Sequence, residues 1–170
     1  RVDKGGYIYV LDSDKGEIVV YNTRMQYQKS IKLKTKEISD MYLDKRKDHF
    51  YLVNAASNTV LVVDTSGKTI HEFGRLRDPL KISMDRYSNV YVTNKIESCI
   101  YKFIQKEDTY KYYGKFGTNP FTKIANIAVN KDGSIFLLNE SSSEIIKVIR
   151  TGWELARFGG KNTEERSLEK

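Results

Sequence analysis

The sequence predicts an all-β fold built from about four repeated units of antiparallel strands, on three observations. A short apolar run closing on Asp or Asn recurs four times, as YIYVLD (7–12), FYLVN (50–54), VYVTN (90–94) and IFLLN (135–139). Its closing residues Asp12, Asn54, Asn94 and Asn139 are spaced 42, 40 and 45 apart. A second run follows each time, as IVVYN (18–22), VLVVD (60–64), CIYKF (99–103) and IIKVI (145–149). The runs are about five residues long and rich in Val, Ile, Tyr and Phe, which are strand features. No segment places apolar residues three and four apart for long enough to make a convincing helix.

Each element has its own signal. An acid or amide precedes each closing residue at a near-constant offset: Asp3, Asp44, Asp85 and Asn130 lie 9, 10, 9 and 9 positions upstream. Three units end in Phe-Gly, at Phe73-Gly74, Phe116-Gly117 and Phe158-Gly159, and the first ends near Ile31 and Leu33. Turn residues separate the runs at Thr65-Ser66-Gly67-Lys68, Lys131-Asp132-Gly133-Ser134 and Arg150-Thr151-Gly152. The last unit reads as strands over 124–130, 135–139, 145–150 and 153–158. Four antiparallel strands per period near 40 is the blade of a β-propeller. The chain starts just after the first strand of its first blade should have run. The expectation is one incomplete blade and three complete ones, over 1–34, 35–76, 77–119 and 120–160. The polar stretch 161–170 reads as a tail or linker.

The unit DPLKISMDRYSNVYVTNKIESCIYKF (78–103), closing at Gly117, resembles an NHL repeat through Pro79, Asp85, Tyr91, Asn94, Ile100, Phe103 and Gly117. The last unit resembles it through Ile127, Val129, Gly133, Phe136, Asn139, Ile145 and Gly159. The chain departs from that pattern in keeping only Pro79 and Pro120 as blade-leading prolines. It also lacks the Asn-x-Arg common before the third strand, reading Asn58-Thr59-Val60 in one copy. The resemblance implies a six-bladed ring, so about four blades make either part of such a ring or half of a two-chain closure. Open blade edges then invite self-association. The resemblance also favours a bacterial source and an extracytoplasmic or cell-surface setting. The residues alone leave the compartment open.

The net charge of +7 suits acidic partners as well as general solubility. The single Cys99 rules out an internal disulfide framework and reads as a small buried residue. No stretch approaches the roughly 18 apolar residues of a membrane span. No Gly-rich phosphate loop, Cys pair or nucleophile elbow occurs. The chain begins at Arg1 rather than Met, which reads as a trimmed chain or a fragment of a longer one.

In a propeller, loops between second and third strands share a face with the connections between blades, and rigidly held loops are where binding residues sit. That face would carry Asp12–Glu17, Asn54–Thr59, Asn94–Ser98 and Asn139–Glu144, with Thr35–Glu37, Arg75–Asp78 and Thr118–Pro120. Asp12, Asn54, Asn94, Asn139, Arg75 and Arg77 are its candidate binding residues. The four repeated oxygens would hold a divalent cation weakly. An Asx cap within each loop explains their recurrence better, and no cofactor or metal is expected. His49 in a turn and His71 in an outer strand are not placed to converge on a metal. The aromatic-basic stretch 101–116 offers Lys102, Lys111, Tyr112 and Lys115 to a polyanion, by stacking bases and neutralising phosphates. Basic runs at 29–36 and 45–47 add charge elsewhere. The competing reading is that Tyr and Lys simply cover outer strands. Trp153 is expected to pack between blades. The leading expectation is a non-catalytic binding or scaffold module for a protein, peptide or glycan. Alternatives are RNA binding and a fragment of a metal-dependent lactonase or lyase.

Overall fold

The structure is a computed structural model and describes residues 1–107, 109–117, 123–130 and 132–160. The connection Thr118–Pro120, Lys131 and the tail 161–170 lie outside the described residues. The described residues form four antiparallel sheets, each made of strands consecutive in sequence. The first sheet has three strands: β1 (Ile8–Asp12), β2 (Glu17–Tyr21) and β3 (Tyr27–Lys32). The second has four: β4 (Ile38–Asp44), β5 (His49–Asn54), β6 (Thr59–Val63) and β7 (Thr69–Phe73). The third runs β8 (Pro79–Met84), β9 (Val90–Asn94), β10 (Cys99–Lys106) and β11 (Thr109–Gly117). The fourth runs β12 (Ile124–Val129), β13 (Ile135–Asn139), β14 (Glu144–Val148) and β15 (Glu154–Gly159). One incomplete unit and three complete ones is the predicted arrangement. In the first sheet Arg1 and Val2 take the inner position: Val2 bridges Ile8, and the Tyr9 N–H donates to the Arg1 carbonyl at 2.8 Å.

The sheets stack face to face, and the core lies between them in three layers. This explains why the apolar runs are nearly continuous: both faces of each inner strand pair are covered. In β5, Phe50 and Leu52 face the first sheet with Ile18 and Val20. Tyr51 and Val53 face the third sheet with Val90 and Val92. All eight side chains are 0–2% exposed, and each such burial is worth about 1.5–3 kcal/mol. The third and fourth sheets meet through Tyr91, Ile100, Ile135, Leu137 and Ile146.

Inner strands have one unpaired edge, whose N–H groups need partners. Neighbouring sheets supply some of them. Asp40 accepts from the Ile82 N–H at 3.0 Å, and Ser83 Oγ accepts from the Val129 N–H at 3.1 Å. Arg46 fastens the turn after β4 to the turn after β8. It binds Asp44 while donating to the Arg86 carbonyl at 2.6 Å and to Ser88 Oγ at 2.7 Å.

The recurring acid upstream of each second strand caps the turn between the first two strand positions. Asp3, Asp44, Asp85 and Asn130 each accept a backbone N–H from their own turn at 2.8–3.0 Å. Asp3 and Asp85 also accept from the hydroxyls of Tyr9 and Tyr91. Burial first, then the Asp3 bond, pushes the Tyr9 hydroxyl up to about 12.

Two expectations fail. His49 opens β5 instead of sitting in a turn, because its pairing with Asp44 extends the ladder by one residue. Trp153 does not pack between sheets. It lies just before β15, 75% exposed, on a sheet that has a described neighbour on one side only. That open side also exposes Leu138 and Ile145, at 42% and 45%, whose equivalents in the second sheet, Val53 and Val60, are fully buried.

Candidate binding surface

The loops between second and third strands share one four-residue geometry. Asp12 pairs with Glu17, Asn54 with Thr59 and Asn139 with Glu144 across them. The leading side chain caps its own loop in each case. Asp12 accepts from the Lys15 N–H, Asn54 from Ala56, Asn94 from Ile96 and Asn139 from Ser141, at 2.7–3.1 Å. The fourth residue after each cap adopts a left-handed backbone: Gly16, Asn58, Ser98 and Ser143, at φ of 48–64°. Gly and Asn at two of these positions are a signal that sequence reasoning passed over. The connections between sheets are tied to the same loops. The Leu76 N–H donates to the Asn58 carbonyl and the Lys95 N–H to the Asp78 carbonyl, at 2.9 and 2.8 Å. The caps therefore hold a rigid loop face, with their repeated oxygens engaged by backbone. Among the described residues no group of three His, Cys, Asp or Glu side chains lies close enough to share a metal ion.

Arg75 and Arg77 rise from the connection between the second and third sheets. Arg77 pairs with Glu97 at 3.2 Å, and Lys115 reaches the other oxygen of the same carboxylate at 3.0 Å. The Lys115 bond is the main reason the Glu97 carboxyl is held below its usual range. Arg75 makes no ion pair among the described residues.

The aromatic-basic stretch 101–116 folds as a long hairpin, β10 and β11, whose 8 and 9 residues exceed the 5 or 6 of the other outer strand pairs. A register shift leaves Tyr113 as an extra residue, with Lys102 opposite Gly114 and Phe103 opposite Tyr112. Alternation then splits the four predicted polyanion contacts. Tyr112 and Lys115 share a face with Phe103 and Tyr101, toward the second sheet, while Lys102 and Lys111 share the opposite face with Ile100 and Ile104. Lys102 is nearly buried, its ammonium 4.5 Å from the centre of the Tyr113 ring, and burial lowers its pKa.

The hairpin's end leans over β7. Tyr110 stacks on Phe73 at 4.3 Å, and its hydroxyl lies 2.7 Å from that of buried Tyr51. Between β7 and the hairpin lies a hollow of about 710 Å³, lined by Phe73, Tyr101, Phe103, Tyr112, Arg75 and Lys115 among others. The structure thus joins Arg75, expected on the loop face, to Tyr112 and Lys115, expected in a polyanion patch. Sequence reasoning missed Phe73 and Tyr110, because nothing in one chain segment reveals that the hairpin crosses to its neighbour.

A second hollow, of 480 Å³, lies at the opposite end of the inner strands, between Arg1, Tyr42, Arg46, Met84 and Asp85. Its arginines are already committed, Arg46 to Asp44, Arg1 to the Met41 carbonyl and Arg86 to the Tyr87 hydroxyl. The groove's Arg75 is not, so the groove is the better candidate. Cys99 is buried beneath the loop face, and burial raises its thiol to about 11. His71 lies 6.1 Å from Phe73 in a ring stack, on the same sheet as His49.

Comparison with solved structures places this arrangement. A streptogramin B lyase superposes with a TM-score of 0.73 at 12% identity, covering 92% of this chain and 52% of that one. The virginiamycin B lyase of Staphylococcus aureus gives 0.71 at 13%, covering 93% and 53%. The Cps50 (Swd1) β-propeller domain of Myceliophteria thermophila gives 0.69 at 12%, covering 93% and 57%. The fold is a β-propeller. The chain spans about half the length of these solved structures. No protein-family model matches it, and no curated protein matches it by sequence. Its four sheets are blades, with β4, β8 and β12 as inner strands. Among the described residues no helix is long and apolar enough to cross a membrane.

Proposed function

We propose that this propeller is a non-catalytic binding and scaffold module of NHL-type blades. Its recognition surface is the loop face together with the groove beside it, and its partner is a protein, peptide or glycan. One observation carries the reading: Arg75, Tyr112 and Lys115 converge on an open, aromatic-floored hollow while the neighbouring loops are held rigid by their Asx caps. Rigid loops flanking a concave, largely apolar surface are the usual ground for recognition. The test is a screen of immobilised peptides and glycans with the purified protein. Saturable binding to at least one class supports the reading, and no binding to either overturns it.

RNA is the second reading, favoured by exposed Tyr112 beside two cations. It predicts affinity for single strands that falls steeply from low to physiological salt. The lyases among the solved relatives keep a metal-dependent lyase or lactonase as a third. Heat on titration with Ca²⁺ or Zn²⁺ would favour it over a binding module.

A further inference from the structure

We infer that the groove between the second and third blades takes an acidic peptide segment carrying an aromatic or aliphatic anchor. This rests on the binding-module reading and names the partner's chemistry.

Three observations carry it. The first is shape. A hollow of 710 Å³ lies within the roughly 300–1,000 Å³ of sites that enclose small ligands. Phe73, Tyr101 and Phe103 are 7%, 8% and 2% exposed, so they form a fixed floor. Tyr112 stands 57% exposed at the wall, an amphipathic ring available to a partner. The second is the sign of the charge. Arg75 and Lys115 line the groove. Glu72 is engaged on its blade's other side, accepting from Thr59 Oγ1 at 2.6 Å. The nearby Glu97 is shared between Arg77 and Lys115, so cations remain in excess and Arg75 has no described partner. An incoming carboxylate would meet the guanidinium fork in the geometry that Arg binds best. The third is rigidity. The Tyr110–Phe73 stack and the Tyr110–Tyr51 hydroxyl contact fix the hairpin to β7, so the groove exists before a partner arrives.

The same facts disfavour nucleic acid here. Single strands need a row of exposed rings and a track of cations. This groove exposes one large ring, and Lys102 and Lys111 face away from it.

The test uses the whole chain and a fluorescein-labelled peptide, Asp-Glu-Phe-Asp-Asp-Phe-Glu-Glu, read by fluorescence anisotropy. Arg75→Glu is expected to weaken binding about tenfold, and Tyr112→Ala by a similar factor, as for central Arg and Tyr anchors. Both side chains are exposed, so both variants keep the fold. Lys111→Glu makes the same charge change on the opposite face and is expected to leave Kd within about twofold. Equal weakening by Lys111→Glu and Arg75→Glu would mean that general positive charge binds the peptide, and overturns the proposal. So does equal competition by oligothymidylate, which would make the occupant a nucleic acid. If the protein binds another peptide or glycan from the screen and Arg75→Glu leaves that binding intact, the groove assignment fails while the binding-module reading stands.

Discussion

Tyr110→Phe separates the two contributions that hold the groove's wall. The substitution keeps the ring stacked on Phe73 and removes only the hydroxyl that lies 2.7 Å from Tyr51. Tyr51 is 1% exposed, so its own hydroxyl loses its described partner in a buried place. An orphaned buried hydroxyl costs about 1–3 kcal/mol, far more than the net value of the bond itself. Because Tyr110 is only half-buried and lines the hollow, the low part of that range applies, about 1–2 kcal/mol. Removing both hydroxyls, by Tyr51→Phe with Tyr110→Phe, leaves no orphan, so the double variant should be close to wild type. The assay is urea unfolding followed by far-ultraviolet circular dichroism on the four members of this cycle. The coupling is expected to be about 1 kcal/mol or more in favour of the double variant. If the single changes add to within about 0.5 kcal/mol, the hydroxyl pair does not fasten the hairpin and the reasoning fails.

Three other outcomes follow from the structure. Ser143 holds φ 58° in an exposed loop where the first blade has Gly16, so Ser143→Gly should raise unfolding stability by roughly 0.5–1 kcal/mol; a loss would show that the loop is not strained there. Asp12, Asp64, Glu97, Asp132 and Glu144 are all held below their usual values, chiefly by hydrogen bonds from their own turns or, for Glu97, from Lys115. A depressed carboxyl contributes stability above its unfolded value and loses it as pH falls through the folded one. Melting temperature should therefore hold from neutral pH down to about 5 and drop below about 4; a drop already complete at pH 6 would contradict this. Leu138→Lys with Ile145→Lys charges a face of the last blade that has no described neighbour; if that face meets a second copy of the chain, sedimentation shifts toward the monomer. An unchanged distribution would show that this face does not mediate association.

The repeat was legible because each element carries its own local chemistry. Asp85, Tyr91 and Asn94 announce a turn cap, a strand and a loop cap by type and spacing alone, and the structure uses each in that way. Short strands covered on both faces read as continuous apolar runs, so their positions survived translation into structure with ends shifted by no more than two residues. The site was only half legible. Arg75, Tyr112 and Lys115 were visible as residue types, but the sequence set Arg75 apart on the loop face and grouped Lys102 and Lys111 with Tyr112 and Lys115 by proximity along the chain. Strand alternation, offset by the bulge at Tyr113, sends those two to the other face. The partners that make the groove, Phe73 and Tyr51, lie in the preceding blade, and Trp153 depended equally on what lies beside its blade. Contacts between blades depend on how sheets stack, which no local pattern records.

The most direct measurement is a two-dimensional amide spectrum of ¹⁵N-labelled protein, titrated with the acidic aromatic peptide. The account predicts shifts confined to both walls of the groove, at residues 71–75, 101–103 and 109–115. Shifts confined to the hollow around Arg46 and Asp85, or spread evenly over all four blades, would contradict it.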